Sequence, residues 1–132
     1  VKYAVRYHAQ NIEKSDEITA EIFSVNLAER CFEKHNIPFI SGKVWTTDGI
    51  YRETPSLIQK RREQGCLVVD MECSASLAVS KFRNIPIVQF LFGADNLDAD
   101  AWEQRDLTDY GFQNADKYIL LAFELASMFN EV

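Results

Sequence analysis

The chain has 132 residues, of which 47% are apolar and 26% charged, and its formal net charge is −6. This length and composition suit one globular domain spanning residues 1–132 and lack the low hydrophobicity of disordered proteins. The negative charge argues against a broad basic surface for nucleic-acid backbones, so we expect no nucleic-acid partner.

The first part of the chain predicts a strand followed by a helix. Residues 1–9 alternate between apolar and polar, as in a half-buried strand, and a chain that opens inside a strand suggests a piece of a larger fold. Ser15 and Asp16 offer capping oxygens for a helix that extends to about His35, because apolar residues recur there at helical spacing.

A second strand is predicted from Ile37 through Trp45. Gly42 lies inside this run, where a glycine permits a bulge or a close approach of another backbone segment. A polar loop, residues 46–54, follows the strand.

The second helix is predicted from Pro55 to Gly65. Proline suits the first helical turn because its missing N–H would be unpaired there, and glycine can take the left-handed conformation after a helix. The basic run Lys60, Arg61 and Arg62 predicts a solvated helix face.

The rest of the chain continues the alternation of strands and helices. Residues 66–69 are wholly apolar, as in a strand buried on both faces. Residues 73–79 are small or apolar, as in a helix packed under a sheet, and this helix is predicted from Met71 to about Asn84. A buried strand is predicted over 85–92, an acidic loop or lid over 93–109, and an amphipathic helix over 110–129.

This alternation predicts an α/β fold with a largely parallel sheet covered by helices on both faces. Ligands of such sheets bind beyond the carboxyl ends of the strands. Asp70, Met71 and Glu72 directly follow the third predicted strand, and Asp95 follows the fourth. We therefore expect Glu72 and Asp95 to lie side by side at one edge of the sheet.

The cysteines and the hydropathy pattern bear on cellular context. Cys31, Cys66 and Cys73 have neither CxxC nor Cys/His spacing, so we expect reduced thiols, no metal site and a cytoplasmic protein. No apolar stretch reaches the ~18 residues of a membrane span, and no membrane partner is expected.

Three motifs in chain order carry a resemblance to a known family. They are SGKVWTTDGIYRETP (41–55), VVDMECSASLAVSKF (68–82) and NIPIVQFLFGADNL (84–97). Together they resemble the nucleoside phosphorylase and nucleosidase superfamily, with its purine and uridine phosphorylase-like members. The resemblance implies a three-layer α/β/α sheet, here truncated at the N-terminus, and transfer of a pentosyl group. Inorganic phosphate would be the co-substrate, with no cofactor.

The resemblance places the ribose at the end of the third strand. Glu72 would accept hydrogen bonds from the 2′- and 3′-hydroxyls, and its charge would favour the positive charge that develops on the sugar. Met71 would pack against the sugar face. Asp70 is grouped with these substrate-binding residues, although capping the helix or holding the loop is its favoured role. For Glu72 the alternative is an acid stabilised by a helix N-terminus.

The resemblance assigns Asp95 to the leaving base. In purine-handling members an acid at this position protonates or hydrogen-bonds the base, and a carboxyl group with a raised pKa could supply that proton. Ala94 replaces the usual serine, which removes a hydroxyl that would orient the loop. Arg105 could pair with Asp95 as a second catalytic residue, with a surface ion pair as the alternative.

Four further residues are expected to border the nucleoside: Tyr7, His8, Thr47 and Tyr51. Aromatic rings can stack on a flat base while a hydroxyl reads its edge. Packing in the core or lid is the alternative for Tyr51, and a structural role on its strand is the alternative for His8.

The family's phosphate site comes mainly from its N-terminal half, and the glycines here are scattered singly, with no glycine-rich loop before a helix. The sequence thus predicts phosphorolysis of a purine nucleoside to free base and ribose 1-phosphate, impaired or absent in the truncated chain. The alternatives are a non-catalytic nucleoside-binding or oligomerisation domain and a hydrolytic nucleosidase. A nucleoside or nucleobase and further copies of the chain, as a homo-oligomer, are the expected partners.

Overall fold

The computed structural model describes residues 16–93, 95–96, 103–104 and 112–129, and these ranges hold four α-helices and two small sheets. In chain order the elements are α1 Ile22–Lys34, β1 Lys43–Thr46, a 3₁₀ turn Ile50–Arg52, α2 Pro55–Glu63, β2 Cys66–Asp70, α3 Cys73–Arg83, β3 Asp95–Asn96, β4 Glu103–Gln104 and α4 Phe112–Phe129. The predicted first strand, residues 1–9, lies outside the described residues.

Strands β1 and β2 pair in parallel, whereas β3 and β4 form a short antiparallel pair. The β1–β2 register shifts after Lys43, because Lys43 pairs with Cys66 and Val44 with Val68. Gly42 stands directly before this irregularity, and a Cβ atom at Gly42 would lie 2.9 Å from Cγ of Leu67 and closer still to its Cδ1. The atoms that approach Gly42 belong to a side chain and not, as predicted, to the backbone, and Gly42 itself lies just before β1.

Helices α1 and α4 pack together around the apolar core. Cys31 and Phe32 of α1 are buried against Leu121 and Leu125 of α4. At the rim of this contact, Nζ of Lys34 donates to Oε1 of Glu124 at 2.5 Å. Because one apolar stripe of each helix faces the other, burial of apolar surface accounts for most of the stability of this pair.

From α2 onwards, the observed ends of the helices agree with those predicted from the sequence. Pro55 occupies the first turn of α2, and Gly65 has a φ of 82° after that helix, as predicted. Asn84 ends α3 with a φ of 53°, and α4 begins at Phe112, two residues after its predicted start.

The start of α1 was predicted wrongly. The helix begins at Ile22 rather than near Asp16, and the residue before it, Glu21, makes no side-chain capping bond. Two consecutive β-branched residues, Ile18 and Thr19, precede the observed start, and such residues lose side-chain freedom in a helix.

Two strand predictions were also too broad. The second strand covers Lys43–Thr46 and does not include Ile37. Residues 85–92 form no strand, since within the described ranges no neighbouring strand pairs with them. Val88 and Phe90 instead pack against the α1–α4 core, so their apolar character reflects tertiary contacts rather than a sheet.

Predicted burial differs from the structure at two places. Strand β2 is not buried on both faces in the described part of the chain, because Leu67 is 56% and Val68 41% exposed. Conversely, Arg61 of the predicted solvated face is only 7% exposed and lies against the ring of Trp45.

The described residues establish an α/β fold with a small parallel sheet. Helix α3 packs against β1, and α2 packs against β2. A sheet covered by helices in three layers stays a prediction. None of the helices in the described ranges has the length and apolar character needed to cross a membrane.

Candidate functional site

The carboxyl ends of β1 and β2 meet at one edge of the sheet, because the two strands run in parallel. Thr46 pairs with Asp70 as the last residue of each strand. Just beyond them, the N–H of Thr47 donates to the carbonyl oxygen of Asp70 at 2.8 Å. Thr47, Asp70, Met71 and Glu72 therefore share the edge at which ligands of parallel sheets bind.

The carboxylate of Asp70 is the centre of a hydrogen-bond network. Its Oδ1 accepts from the hydroxyl of Thr46 at 2.8 Å. Its Oδ2 accepts from the N–H of Cys73 at 2.7 Å, from that of Glu72 at 3.3 Å and from Nε2 of Gln89 at 3.1 Å. Asp70 thus caps α3 and holds the turn before it, where the charge is also favoured by the helix dipole.

Glu72 has a different environment from Asp70. It is exposed, and its Oε2 accepts from the N–H of Met71 at 3.3 Å. It stands at the N-cap position of α3 without making a side-chain capping bond, and its Oε1 has no hydrogen-bond partner within the described ranges. Met71 beside it is 46% exposed. Both side chains can therefore contact a ligand.

Two residues of the polar loop 46–54 were predicted to contact the substrate, and one of them is buried while the other is exposed. Thr47 is buried, and its hydroxyl donates to the carbonyl oxygen of Gly49 at 3.3 Å, so it shapes the turn. Tyr51 lies on the 3₁₀ turn and is 77% exposed, with the Arg52 guanidinium 6.0 Å from its ring centroid. Trp45, by contrast, is buried in the core.

Asp95 is half-buried on β3 and lies close enough to Glu53 to affect its ionisation. Burial raises the pKa of Glu53 above its usual range, and the negative charge of Asp95 raises it further. Glu53 directly follows the 3₁₀ turn, so an electrostatic interaction links this turn to β3. The expected proximity of Glu72 to Asp95 stays a prediction.

Comparison with known proteins decides the family. A family model described as the phosphorylase superfamily matches residues 6–120. The chain belongs to this superfamily.

Among curated proteins, this superfamily member is similar to "Uncharacterized protein R802" of Acanthamoeba polyphaga mimivirus. The two are 37% identical over 68 residues, which cover 50% of this chain and 28% of the viral protein. No solved structure gives a significant match.

Three predicted contacts of this phosphorylase-superfamily chain lie outside the described residues: Tyr7, His8 and Arg105. No cluster of three or more potential metal ligands occurs in the described ranges. None of the three cysteines, all within the described ranges, forms a disulfide bond. Burial, and to a smaller extent the charge of Asp70, raises the pKa of Cys73 to about 11.

Sequence reasoning missed three residues of this superfamily member, two of them at this edge of the sheet. Thr46 and Gln89 both bind Asp70, and Glu53 lies near Asp95. Thr46 could have been identified because it ends β1 at the position that pairs with Asp70. Glu53 could have been identified as an acid within the motif of residues 41–55. No local pattern marks Gln89, because its contact with Asp70 depends on how residues 85–93 cross the sheet edge.

Proposed function

We propose that this chain carries the nucleoside-binding part of a phosphorylase that acts on purine nucleosides. In the reaction, inorganic phosphate takes the place of the base on C1′, which gives free base and ribose 1-phosphate. The observation that carries the proposal is the exposed Glu72 carboxylate beside Met71 at the carboxyl end of a parallel strand, in a chain of the phosphorylase superfamily.

The proposed role of Glu72 is to hold the ribose. Its Oε1 lacks a partner within the described ranges, and a carboxylate can accept from two hydroxyl groups at once. Breaking the glycosidic bond develops positive charge on the sugar, so a fixed carboxylate binds the transition state more strongly than the ground state.

The proposed role of Asp95 is to neutralise the leaving base. A departing purine gains electron density on its imidazole ring and needs a proton or a hydrogen-bond donor. Asp95 is half-buried on β3, in the motif that resembles the base-binding segment of the family. We propose that its carboxyl group protonates or hydrogen-bonds the base at an imidazole nitrogen.

The proposed phosphate site lies elsewhere in the protein than the start of α3. A helix N-terminus is a common anion site, but here the N–H groups of Cys73 and Ser74 already donate to Asp70 and Thr46. We therefore expect phosphorolysis by these 132 residues to be weak, and nucleoside binding to be the more sensitive measurement.

The test measures base release from inosine, adenosine and uridine with and without phosphate. We expect weak phosphate-dependent release from the purine nucleosides at high protein concentration, together with stabilisation of the protein against heat by inosine. Glu72→Gln and Asp95→Asn should reduce these signals at least tenfold. Glu63→Gln, an exposed acid of α2 that binds Gln59, is the matched control.

Other outcomes would replace this proposal. Release that does not depend on phosphate indicates a hydrolytic nucleosidase. Thermal stabilisation by inosine with no release, even at high protein concentration, indicates a non-catalytic nucleoside-binding domain. If neither release nor stabilisation occurs, or if Glu72→Gln behaves as the control does, the proposed ribose site is wrong.

Self-association of the chain is part of the proposal. Large apolar side chains of α4 are exposed, among them Leu120 at 69% and Phe123 at 70%. Contiguous apolar surface of this kind favours contact with another protein surface. Sedimentation at micromolar concentration should give a mass above that of one chain, and a monomeric mass contradicts this part.

A further inference from the structure

We propose that Thr46 and Asp70 are positioning residues that fix Glu72 for ribose recognition, and that Asp70 does not itself touch the nucleoside. This inference rests on the proposed function of Glu72. It assigns a role to a strand-end threonine and separates the two acids of the Asp-Met-Glu motif, one as a ligand to the sugar and one as its support.

The hydrogen bonds of Asp70 leave it little capacity for a ligand. Its carboxylate accepts from four donors: the hydroxyl of Thr46, the N–H groups of Glu72 and Cys73, and the side-chain amide of Gln89. An ionised carboxylate has about four lone-pair sites in all. A ribose hydroxyl could bind Asp70 only by displacing a bond that holds the turn.

Thr46 joins the end of β1 to the start of α3 through one hydroxyl group. Its Oγ1 donates to Asp70 at 2.8 Å and accepts from the N–H of Ser74 at 3.1 Å. Thr46 and Ser74 are both only 4% exposed, so water cannot readily replace either bond. Serine could make both bonds, whereas valine, which is similar in shape to threonine, could make neither.

The same network reaches Glu72 through the main chain. Glu72 follows Asp70 by two residues, and the bonds of Asp70 to the N–H groups of Glu72 and Cys73 fix the backbone on both sides of the Glu72 side chain. A displacement of about 1 Å at a catalytic group can cost a factor of ~100 in rate. The position of Glu72 therefore depends on bonds that Glu72 does not make.

Gln89 extends the network toward the base. It binds Oδ2 of Asp70 and lies six residues before Asp95 in the chain. The Asp70 carboxylate thus contacts both the segment that carries Glu72 and the segment that leads to Asp95.

The experiment compares Thr46→Val, Thr46→Ser and Asp70→Asn in the otherwise unchanged 132-residue chain and in Glu72→Gln. Calorimetry or NMR titration measures binding of inosine and of 2′,3′-dideoxyinosine, which lacks both hydroxyls. We expect Thr46→Val to weaken inosine binding about tenfold, which corresponds to ~1.4 kcal/mol. Thr46→Ser should restore most of it, and dideoxyinosine binding should not change.

In the Glu72→Gln background, neither Thr46→Val nor Asp70→Asn should weaken inosine binding further, since both are proposed to act through Glu72. If Asp70→Asn still weakens binding there, Asp70 contacts the nucleoside and the inference is wrong. If Thr46→Val weakens inosine and dideoxyinosine equally, Thr46 supports the fold in general and the inference is also wrong.

Amide hydrogen exchange separates this inference from the proposed function. Thr46→Val should speed exchange at the N–H groups of Cys73 and Ser74, and Thr46→Ser should not. Unchanged exchange in Thr46→Val overturns the positioning role. If the unsubstituted chain does not bind inosine, or Glu72→Gln binds it normally, the proposed function fails while the exchange result still decides whether Thr46 and Asp70 hold this turn.

Discussion

The guanidinium carbon of Arg61 lies 5.6 Å from the ring centroid of Trp45, and both side chains are buried. Nη1 of Arg61 donates to Oε1 of Gln64 at 2.7 Å, whereas its Nε has no partner within the described ranges. At the contact between α2 and the sheet, the Arg61 cation thus lies against an aromatic ring and donates a hydrogen bond to Gln64. Such a contact combines apolar packing of the arginine stem with a cation–π attraction.

Substitutions of Arg61 should separate packing from charge. Arg61→Met keeps most of the volume and removes the unpaired donor, so we expect a change of under about 1 kcal/mol in the free energy of unfolding. Arg61→Ala removes the stem from Trp45 and should cost about 2 kcal/mol. Urea denaturation followed by tryptophan fluorescence measures both, with exposed Arg62→Ala as the control. Equal losses for methionine and alanine would show that the charge is required.

The thiol of Cys73 should be unreactive at neutral pH. Burial and the charge of Asp70 raise its pKa to about 11, so the reactive thiolate is scarce below that value. The rate of alkylation by iodoacetamide, followed by mass spectrometry, should be low at neutral pH and should keep rising with pH until it levels off above about 11. Asp70→Asn should shift this profile to lower pH. Any stability that Cys73 contributes is full below its usual value of 9 and is lost as the pH rises through 11. Rapid alkylation at pH 7 contradicts the assignment.

The pKa of Glu53 should fall when Asp95 loses its charge. Burial raises that pKa first and the Asp95 carboxylate raises it further, so Asp95→Asn should lower it partway toward 4.5. The stability that Glu53 contributes is full below 4.5 and is lost as the pH rises through its folded pKa. Glu53→Gln should therefore be more stable than the unsubstituted chain at pH 7. NMR titration of the side-chain carboxyl carbon checks the shift, and an unchanged Glu53 titration in Asp95→Asn means that the two groups do not interact.

A side chain at position 42 should force Leu67 to move. The Cβ of Gly42→Ala would overlap the end of the Leu67 side chain, so we expect a loss of about 1 kcal/mol in the free energy of unfolding. Leu67→Ala should remove that overlap, and the double variant should be more stable than the sum of the two single losses predicts. Thermal denaturation of all four proteins measures this coupling. Strict additivity would mean that the two positions do not touch.

Features set by short stretches of sequence were predicted well. Pro55, Gly65 and Asn84 mark helix ends through their own backbone preferences, so α2 and α3 were placed close to their observed limits. The positions of Asp70 and Glu72 at the end of β2 were predicted because the apolar run of that strand stops just before them. The capping role of Asp70 depends only on its position before a helix.

Features set by tertiary contacts could not be derived in this way. An apolar run such as 85–92 suits a strand or a segment packed on helices, and only the neighbours decide between them. Arg61 sits in a basic run typical of a solvated face, yet a single ring, that of Trp45, covers it. The proximity of Glu53 to Asp95 joins residues far apart in sequence, so no local pattern could predict it.

The carboxylate of Asp70 also has a consequence for the order in which the chain folds. Thr46 lies 24 residues before it and Gln89 lies 19 residues after it, so its acceptors are filled only after two loops have closed. Closing a loop costs conformational entropy before the contacts that it allows can form. Helices that need only local contacts can therefore form earlier. The first turn of α3 is therefore expected to become protected late, after the body of that helix, so the edge of the sheet around Asp70 would be among the last parts of the described fold to mature.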